Sequence, residues 1–224
     1  MKAIGIGSLI VLLLAMTNSG YSQNIINPPA NYRPPLINMV KPNKTELGQF
    51  EKLELTIVIR ATYNNPFDPD EIALDARFKG PDGHALNVPG FFYQEYQRTM
   101  SGNKEDMKKA MEPCWKIRFT PTQVGNYTYT ISIQDKYRIV RSEPHAFKVT
   151  ATKNKGFVRK STLAPYYFQT DNGEPYFAIG HNVCWTGAQG TYEYDKYFEK
   201  MSSAGENYTR LWMIDWSLGL EYPA

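Results

Sequence analysis

Two polar and aromatic clusters in the last third of the chain carry side chains suited to holding a sugar. One cluster closes a predicted strand near residue 181, and the other closes a predicted strand near residue 210. Tryptophan rings can stack on the apolar face of a sugar, while amide, imidazole and guanidinium groups can hydrogen-bond its hydroxyls. The candidate substrate-binding residues are His181, Asn182, Trp185, Arg210, Trp216 and Glu221.

Four of the six candidates also have a structural interpretation that the sequence leaves open. The alternatives are an ion pair for Arg210, a satisfied hydrogen-bonding role for His181, and packing for Trp185 and Trp216. The histidines show no metal-ligand spacing, and the sequence has no phosphate-binding glycine loop and no nucleophile elbow. We therefore expect no metal and no cofactor.

A strand–helix–strand pattern would position these residues. Residues 176–180 form a short apolar run, typical of a buried parallel strand, and residues 207–214 predict a second strand. Between them, Gly205 would end a helix. The apolar residues of that helix recur at the spacing of one buried face: Tyr194, Tyr197, Phe198 and Met201.

Residues 46–152 predict an antiparallel β-sandwich of the immunoglobulin type. Segments with alternating apolar and polar residues recur from residues 50–63 onward, separated by turns rich in Pro, Gly and Asn. Since no helix is predicted at each crossover, two packed antiparallel sheets are favoured. Residues 99–112 differ, because their Lys, Glu, Met and Ala content favours helix within a long loop.

Aromatic residues of two neighbouring predicted strands are expected to fill the sandwich core. Trp115 and Phe119 lie on one strand and Tyr127 and Tyr129 on the next, so they can pair across the strands. The alternative is an exposed face on which sugars stack.

The first 45 residues predict an export signal and an arm. Lys2 precedes an apolar run over residues 4–15, and cleavage is expected after Ser22. A membrane anchor is the alternative, but a spanning helix needs about 20 apolar residues. We expect a secreted or periplasmic protein without membrane association after cleavage of residues 1–22. Residues 23–45 are rich in proline and predict a linker.

The composition is that of a globular protein, with 42% hydrophobic and 21% charged residues. A net charge of +3 gives no indication of a nucleic-acid partner. Cys114 and Cys184 fall in different predicted domains, and we expect both to be buried free thiols.

The sandwich resembles a known module, the domain of unknown function 5060. The resemblance rests mainly on residues 115–121 and 125–129, which read WKIRFTP and GNYTY. That module stands ahead of barrels in secreted polysaccharide hydrolases. The resemblance therefore implies an accessory sandwich that packs against the barrel of a full-length chain.

Residues 175–212 resemble the start of a (β/α)8 glycoside hydrolase of the family 5 type. The similar segments are residues 175–185, 194–198 and 205–212. Relatives often have Glu where this chain has His181. The resemblance implies that Arg210 lies near the nucleophile carboxylate and keeps it ionised. Chemistry in such barrels occurs at the carboxyl ends of the strands.

The same resemblance implies that the chain is not catalytic by itself. The family's two catalytic carboxylates end the fourth and seventh strands, whereas residues 153–224 have room for about two βα units. Asp215 and Glu221 follow the wrong strand, so we expect no catalytic residue here, and Glu221 is expected to contact substrate or its neighbours. The chain is then the N-terminal part, with a truncated barrel, of a secreted hydrolase.

The expected partner of that hydrolase is a polysaccharide or oligosaccharide, β-linked and cleaved with retention. The alternative is a non-catalytic exported sandwich that binds polysaccharide or a partner domain.

Overall fold

The computed structural model describes residues 27–213. The predicted signal peptide and its cleavage site therefore lie outside the described residues, as do residues 214–224. The described part is mainly β. It has no helix that is long and apolar enough to cross a membrane.

Most strands belong to two sheets in the N-terminal part. In chain order the strands of this part are β1 (Leu36–Pro42), β2 (Glu46–Gly48), β3 (Leu53–Arg60), β4 (Ile72–Lys79), β5 (Ala85–Pro89), β6 (Phe91–Tyr93), β7 (Tyr96–Ser101), β8 (Lys104–Lys109), β9 (Cys114–Phe119), β10 (Gly125–Asp135), β11 (Ile139–Arg141) and β12 (His145–Thr150). All of them except β7 and β8 belong to the two sheets. One sheet has the order β1-β3-β9-β6. The other has the order β2-β12-β10-β4-β5, with β11 paired to β10.

The C-terminal part contains short strands and α1. Its elements are β13 (Val158–Lys160), β14 (Phe168–Thr170), β15 (Pro175–Tyr176), β16 (Gly180–Val183), α1 (Thr191–Ser203) and β17 (Tyr208–Leu211). Strands β13, β14 and β15 form one antiparallel sheet, and β16 pairs with β17. The chain turns between β14 and β15 at Asn172-Gly173, a dipeptide typical of hairpin turns, and Gly173 supplies the positive φ of 89° there.

The two larger sheets enclose one core, which is the arrangement of a β-sandwich. Leu53, Leu55 and Ile57 of β3 are fully buried. Leu74 and Phe78 of β4 belong to the same cluster. Because side chains alternate across a strand, the intervening polar residues face outward. The alternation seen in the sequence therefore correctly identifies the buried face of each of these strands.

Aromatic rings join the two sheets across this core. Phe78 of β4 stacks on Phe119 of β9 with ring centroids 4.1 Å apart and an interplanar angle of 8°. Trp115, Tyr127 and Tyr129 are each no more than 4% exposed. The prediction of core packing is confirmed for these rings, and they are not available as a sugar-stacking face.

The prediction of helix within a long loop over residues 99–112 is wrong. Strands β7 and β8 form an antiparallel hairpin there, from the pair Tyr96 and Lys109 to the pair Ser101 and Lys104. Gly102 adopts a φ of 61° at the turn. The Ser-Gly-Asn turn and the cross-strand pairing outweigh a helical propensity that is worth only a few tenths of a kcal/mol per residue.

The proline-rich arm also enters the fold more deeply than a linker would. β1 lies within predicted residues 23–45 and pairs with β3 as an edge strand. Proline is tolerated there because an edge strand leaves one row of backbone groups unpaired. The segment predicted to be a linker therefore contributes an edge strand to the first sheet.

The residues after β12 are attached to the sandwich. The hydroxyl of Thr152 donates to the carbonyl of Gln49 at 3.0 Å, and the amide of Asn154 donates to the carbonyl of Phe50 at 3.4 Å. The ring of Phe157 meets that of Phe50 edge to face, with centroids 6.2 Å apart. The polar segment over residues 152–157, which follows the sandwich, is therefore fixed against it by these contacts.

The two cysteines are free thiols, as predicted, but both are partly exposed rather than buried. Partial burial raises the pKa of the Cys114 thiol, which keeps that thiol protonated near neutral pH.

A charged cluster lies on the outer face of the first sheet. The carboxylate of Glu54 accepts hydrogen bonds from Lys116 at 2.8 Å and from Arg118 at 2.7 Å. Burial alone would raise the pKa of Glu54, but these two bonds outweigh it and bring the pKa to about 2. The folded state therefore favours the ionised carboxylate.

This depressed pKa predicts an acid-dependent part of the stability. The Glu54 contribution is complete above the ordinary pKa of 4.5 and is lost as the pH falls toward 2. In thermal unfolding, we expect Glu54→Gln to melt about 4 °C below the wild type at pH 6, with the gap closing near pH 2.

Glu46→Gln is the matched control, because Glu46 is 58% exposed and lies 3.5 Å from Lys148. It should change the melting temperature little at either pH. A gap between Glu54→Gln and the wild type that stays constant from pH 6 to pH 2 would contradict the assignment.

Candidate functional site

β16 and β17 form a parallel pair that is connected through α1, as the sequence predicts. The register pairs Asn182 with Arg210 and Val183 with Leu211. The first strand begins at Gly180 rather than at residue 176, so His181 and Asn182 lie within it instead of after it.

The helix covers one face of this strand pair. The first and last residues of the predicted helical stripe, Tyr194 and Met201, are buried with Val183, and Leu211 packs against them. The two residues between them in the stripe, Tyr197 and Phe198, are 37% and 40% exposed, so the buried face is narrower than predicted. The predicted helix is confirmed, and Gly205 follows it with a φ of 80°. Helix α1 thus fixes which face of the strands points away from it.

The opposite face carries two of the predicted site residues. Since successive side chains alternate along a strand, Asn182 and Arg210 point away from the helix side that holds Val183 and Leu211. Both residues are exposed and are cross-strand partners. An amide and a guanidinium therefore lie side by side, where they can bind neighbouring hydroxyls.

Two tryptophans meet at the carboxyl end of the strand pair. The rings of Trp185 and Trp212 lie edge to face with centroids 6.4 Å apart and an interplanar angle of 65°. Trp185 is 46% exposed and Trp212 is 43% exposed. The backbone N–H of Trp212 donates to the carbonyl of Val183 at 3.0 Å. This bond continues the pairing of β16 with β17 to the residue that carries the second ring.

The loop that carries Trp185 is held by α1. The Glu193 carboxylate accepts the backbone N–H groups of Gly187 at 2.9 Å and Gln189 at 3.2 Å, and the hydroxyl of Tyr197 at 3.0 Å. The Gly187 N–H, followed by Tyr197, lowers the pKa of Glu193. An ionised acceptor thus closes the loop onto the first turn of the helix and limits where Trp185 can lie.

His181 does not join Asn182 and Arg210. His181 lies two residues before Val183, so its side chain is on the face of β16 that is turned toward α1. Its Nδ1 lies 2.8 Å from the buried Oε2 of Glu206. Glu206 precedes β17, so this pair lies toward the amino end of the strands, away from the tryptophans. The structure thus places His181 beside Glu206 instead of beside Asn182 and Arg210.

The remaining predicted residues, Trp216 and Glu221, lie outside the described residues, and so does Asp215. Trp212 is the functional candidate that the predicted set omitted. The signal for it was present, because Trp212 directly follows the strand that contains Arg210.

The amino end of α1 is completed by the sandwich. Gly190 precedes the helix with a φ of 56° and offers no side chain to cap it. Instead the Glu105 carboxylate, from β8, accepts the N–H of Thr191 at 2.8 Å and also its hydroxyl. A carboxylate at this position satisfies an otherwise unpaired donor and complements the helix dipole.

The same hairpin contributes a second group to this contact. Arg98 of β7 donates to the hydroxyl of Thr191 at 2.7 Å and to the carboxylate of Asp195 at 2.9 Å. Its guanidinium also lies 4.6 Å from the ring centroid of Tyr192. The hairpin that sequence analysis missed is therefore the part of the sandwich that holds α1.

Comparison with known proteins supports part of the predicted relationship. Residues 46–134 match the family described as "Domain of unknown function (DUF5060)". The predicted resemblance of the sandwich to that module is thereby confirmed. Comparison with curated proteins found no match.

One solved structure similar to this chain comes from Bacteroides vulgatus and is described as a "putative glycoside hydrolase". The two chains are 22% identical with a TM-score of 0.54, and the match covers 81% of this chain. It covers 31% of that protein, so this chain spans about a third of its length. At this identity the likeness concerns the fold. The assignment to family 5 stays a prediction.

The contact between Glu105 and α1 makes a direct prediction. In Glu105→Gln the charge at the helix N-terminus is lost, and one capping interaction is worth about 1 kcal/mol. We expect amide hydrogens in the first two turns of α1 to exchange about fivefold faster, measured by mass spectrometry.

Asp106→Asn is the control, because Asp106 is next in sequence and pairs with Lys108 rather than with the helix. Its exchange in α1 should equal that of the wild type. Equal exchange in Glu105→Gln would show that the Glu105 carboxylate does not stabilise the helix.

Proposed function

We propose that this chain is the N-terminal part of a secreted polysaccharide-degrading glycoside hydrolase. In this proposal the immunoglobulin-type sandwich is an accessory domain, and β16, α1 and β17 begin a (β/α)8 barrel. Support comes from the parallel strand–helix–strand order, the DUF5060 match and the likeness to a longer protein described as a "putative glycoside hydrolase".

The observation that carries the proposal is the set of side chains at the carboxyl edge of the parallel pair. Trp185 and Trp212 present half-exposed rings there, and Asn182 and Arg210 lie together on the face away from the helix. In barrels this edge holds the active site. We assign the rings to stacking on sugar, and Asn182 to bonding hydroxyls.

We assign two roles to Arg210, which are binding of sugar hydroxyls and an electrostatic contact with a catalytic carboxylate. A guanidinium on the open face of the second strand can lie beside a carboxylate from a later strand and keep it ionised. Retaining hydrolysis needs two carboxylates about 5–5.5 Å apart, one acting as acid and base and the other as nucleophile. We propose that both belong to later strands of the full-length protein, and that Trp216 and Glu221 extend the sugar contacts.

Secretion completes the proposal. The predicted signal peptide with cleavage after Ser22 would deliver the protein outside the cytoplasm, where polysaccharide substrates are found. The bond cleaved is proposed to be a β-linked glycosidic bond, as the resemblance to family 5 implies. The polymer is proposed to be neutral or lightly charged, since the exposed groups at the strand edge include one cation, Arg210, and two neutral rings.

Binding of oligosaccharides by the 224-residue chain tests the sugar-contacting edge. Xylohexaose, cellohexaose and mannohexaose are the probes, measured by isothermal titration calorimetry. We expect at least one to bind weakly, and Trp185→Ala and Trp212→Ala each to lower its association constant about three- to tenfold, as loss of an aromatic contact should.

Tyr166→Ala is the matched control, because Tyr166 is 94% exposed and lies outside the edge. It should bind like the wild type. Hydrolysis of any probe by this chain alone would refute the placement of the catalytic carboxylates, and unchanged binding in both tryptophan variants would refute the assigned edge.

A further inference from the structure

A polar groove at one end of the sandwich is distinct from the strand edge just described. Its volume is about 490 Å³, and its walls come from the arm before β1, the loop after β3 and the turn after β10. This volume falls within the range of about 300–1,000 Å³ that is usual for ligand pockets. No residue of the groove belongs to β16, α1 or β17.

The topology of the sandwich brings the groove's carboxylates together. Asp135 ends β10 and is the register partner of Ile72, which places Glu71 beside it. Tyr63 follows β3 in the other sheet, and its ring meets that of buried Trp115 edge to face at 6.3 Å. Both sheets therefore contribute to the groove, and the loop from the first sheet rests on the core.

The arm forms a fixed wall of the groove. The hydroxyl of Tyr32 donates to Oδ2 of Asp135 at 2.8 Å, and its ring meets that of Tyr137 with centroids 4.9 Å apart. The other oxygen of Asp135 accepts the backbone N–H groups of Tyr137 at 2.9 Å and Arg138 at 2.8 Å. Burial, followed by the Asp135 contact, raises the pKa of Tyr32 to about 12, so this hydroxyl stays a donor.

The facing wall is ordered in the same way. One carboxylate oxygen of Glu71 accepts the backbone N–H of Asn64 at 2.6 Å and that of Asn65 at 3.1 Å. Its second oxygen is not used in those bonds. The loop is thus fixed by one oxygen of the Glu71 carboxylate, and Glu71 is one of the residues that line the groove.

The chemistry of the lining points to a ligand rich in hydroxyl groups. Arg33 and Lys136 supply donors, while Asp70 and Glu71 supply acceptors, all of them lining the groove. A hydroxyl donates and accepts at once, so it can bond both kinds of group. The three tyrosine rings add apolar surface for the carbon skeleton of such a ligand.

The charge balance selects among hydroxyl-rich ligands. Two cationic side chains and three carboxylates, those of Asp70, Glu71 and Asp135, line the same groove. An anionic polymer gains from the cations and is repelled by the carboxylates. We propose that this groove is a non-catalytic binding site for a neutral oligosaccharide, carried by the sandwich itself.

This proposal does not rest on the hydrolase assignment. A glycan held by the sandwich would keep the protein on its polymer whatever the remaining domains do. In the hydrolase, the groove would add a second point of attachment and raise the local substrate concentration.

The test uses the 224-residue chain that carries Trp185→Ala and Trp212→Ala together, so that the strand edge cannot contribute. Cellohexaose, xylohexaose and mannohexaose are titrated by calorimetry, with hexagalacturonate as the anionic comparison. We expect one neutral probe to bind, and Arg33→Ala and Tyr137→Ala each to lower its association constant at least about fivefold.

Tyr32→Phe provides a variant that keeps the ring and removes only the bond to Asp135, and it should weaken binding by loosening the arm. Arg77→Ala and Tyr166→Ala are exposed controls outside the groove and should bind like the parent. Thermal unfolding checks that each variant is folded.

Three results would overturn the proposal. They are no binding of any neutral probe at millimolar concentration, binding of hexagalacturonate alone, and neutral binding that the folded groove variants leave unchanged. None of these bears on the tryptophan pair, whose own test uses the single tryptophan variants.

Discussion

The small core beneath α1 is the constraint on which the candidate site depends. Only Val183, Tyr194 and Met201 are buried in this cluster of the described residues, with Leu211 packed beside them. So little buried apolar surface cannot hold two short strands and a helix in place alone. The contact of Glu105 and Arg98 with the first turn of α1 therefore carries unusual weight. It transfers the rigidity of the sandwich to the loop and strands that bear Trp185, Asn182 and Arg210.

The sandwich can provide that rigidity because its own core is extensive and joined by aromatic stacking. Phe78 and Phe119 link the two sheets, and the outer Glu54 cluster ties β3 to β9. The β7–β8 hairpin leaves one of these sheets between β6 and β9 and reaches the helix. The sandwich is thus a structural support for α1 and its strands, and we propose that its end groove also holds a ligand.

Much of the fold could be predicted because it follows from local patterns. Alternation identified β3, β4 and β10, and helical spacing identified α1 and two of the four residues expected on its buried face, Tyr194 and Met201. The failures are non-local. Residues 99–112 have helical composition, yet pairing between β7 and β8 decides their conformation, and only the Ser101-Gly102-Asn103 turn signals it. The roles of Glu105 and Arg98 depend on a helix nearly a hundred residues away, which no local pattern encodes.

The site was predicted in part for the same reason. Asn182, Arg210 and Trp185 follow from strand position and residue type. His181 was grouped with them because the first strand was placed four residues early. With β16 starting at Gly180, alternation from buried Val183 assigns His181 to the helix side, where Glu206 meets it.

The intact mass of the native protein, isolated from its source with an antibody against residues 27–213, tests the central claim most directly. A sandwich followed by a complete barrel needs about 350 residues, so the account predicts a mass of about 40 kDa or more. A native mass equal to that of the present sequence without residues 1–22 would contradict it. The parallel strand pair would then serve a different role, and the sandwich groove would be the principal binding site.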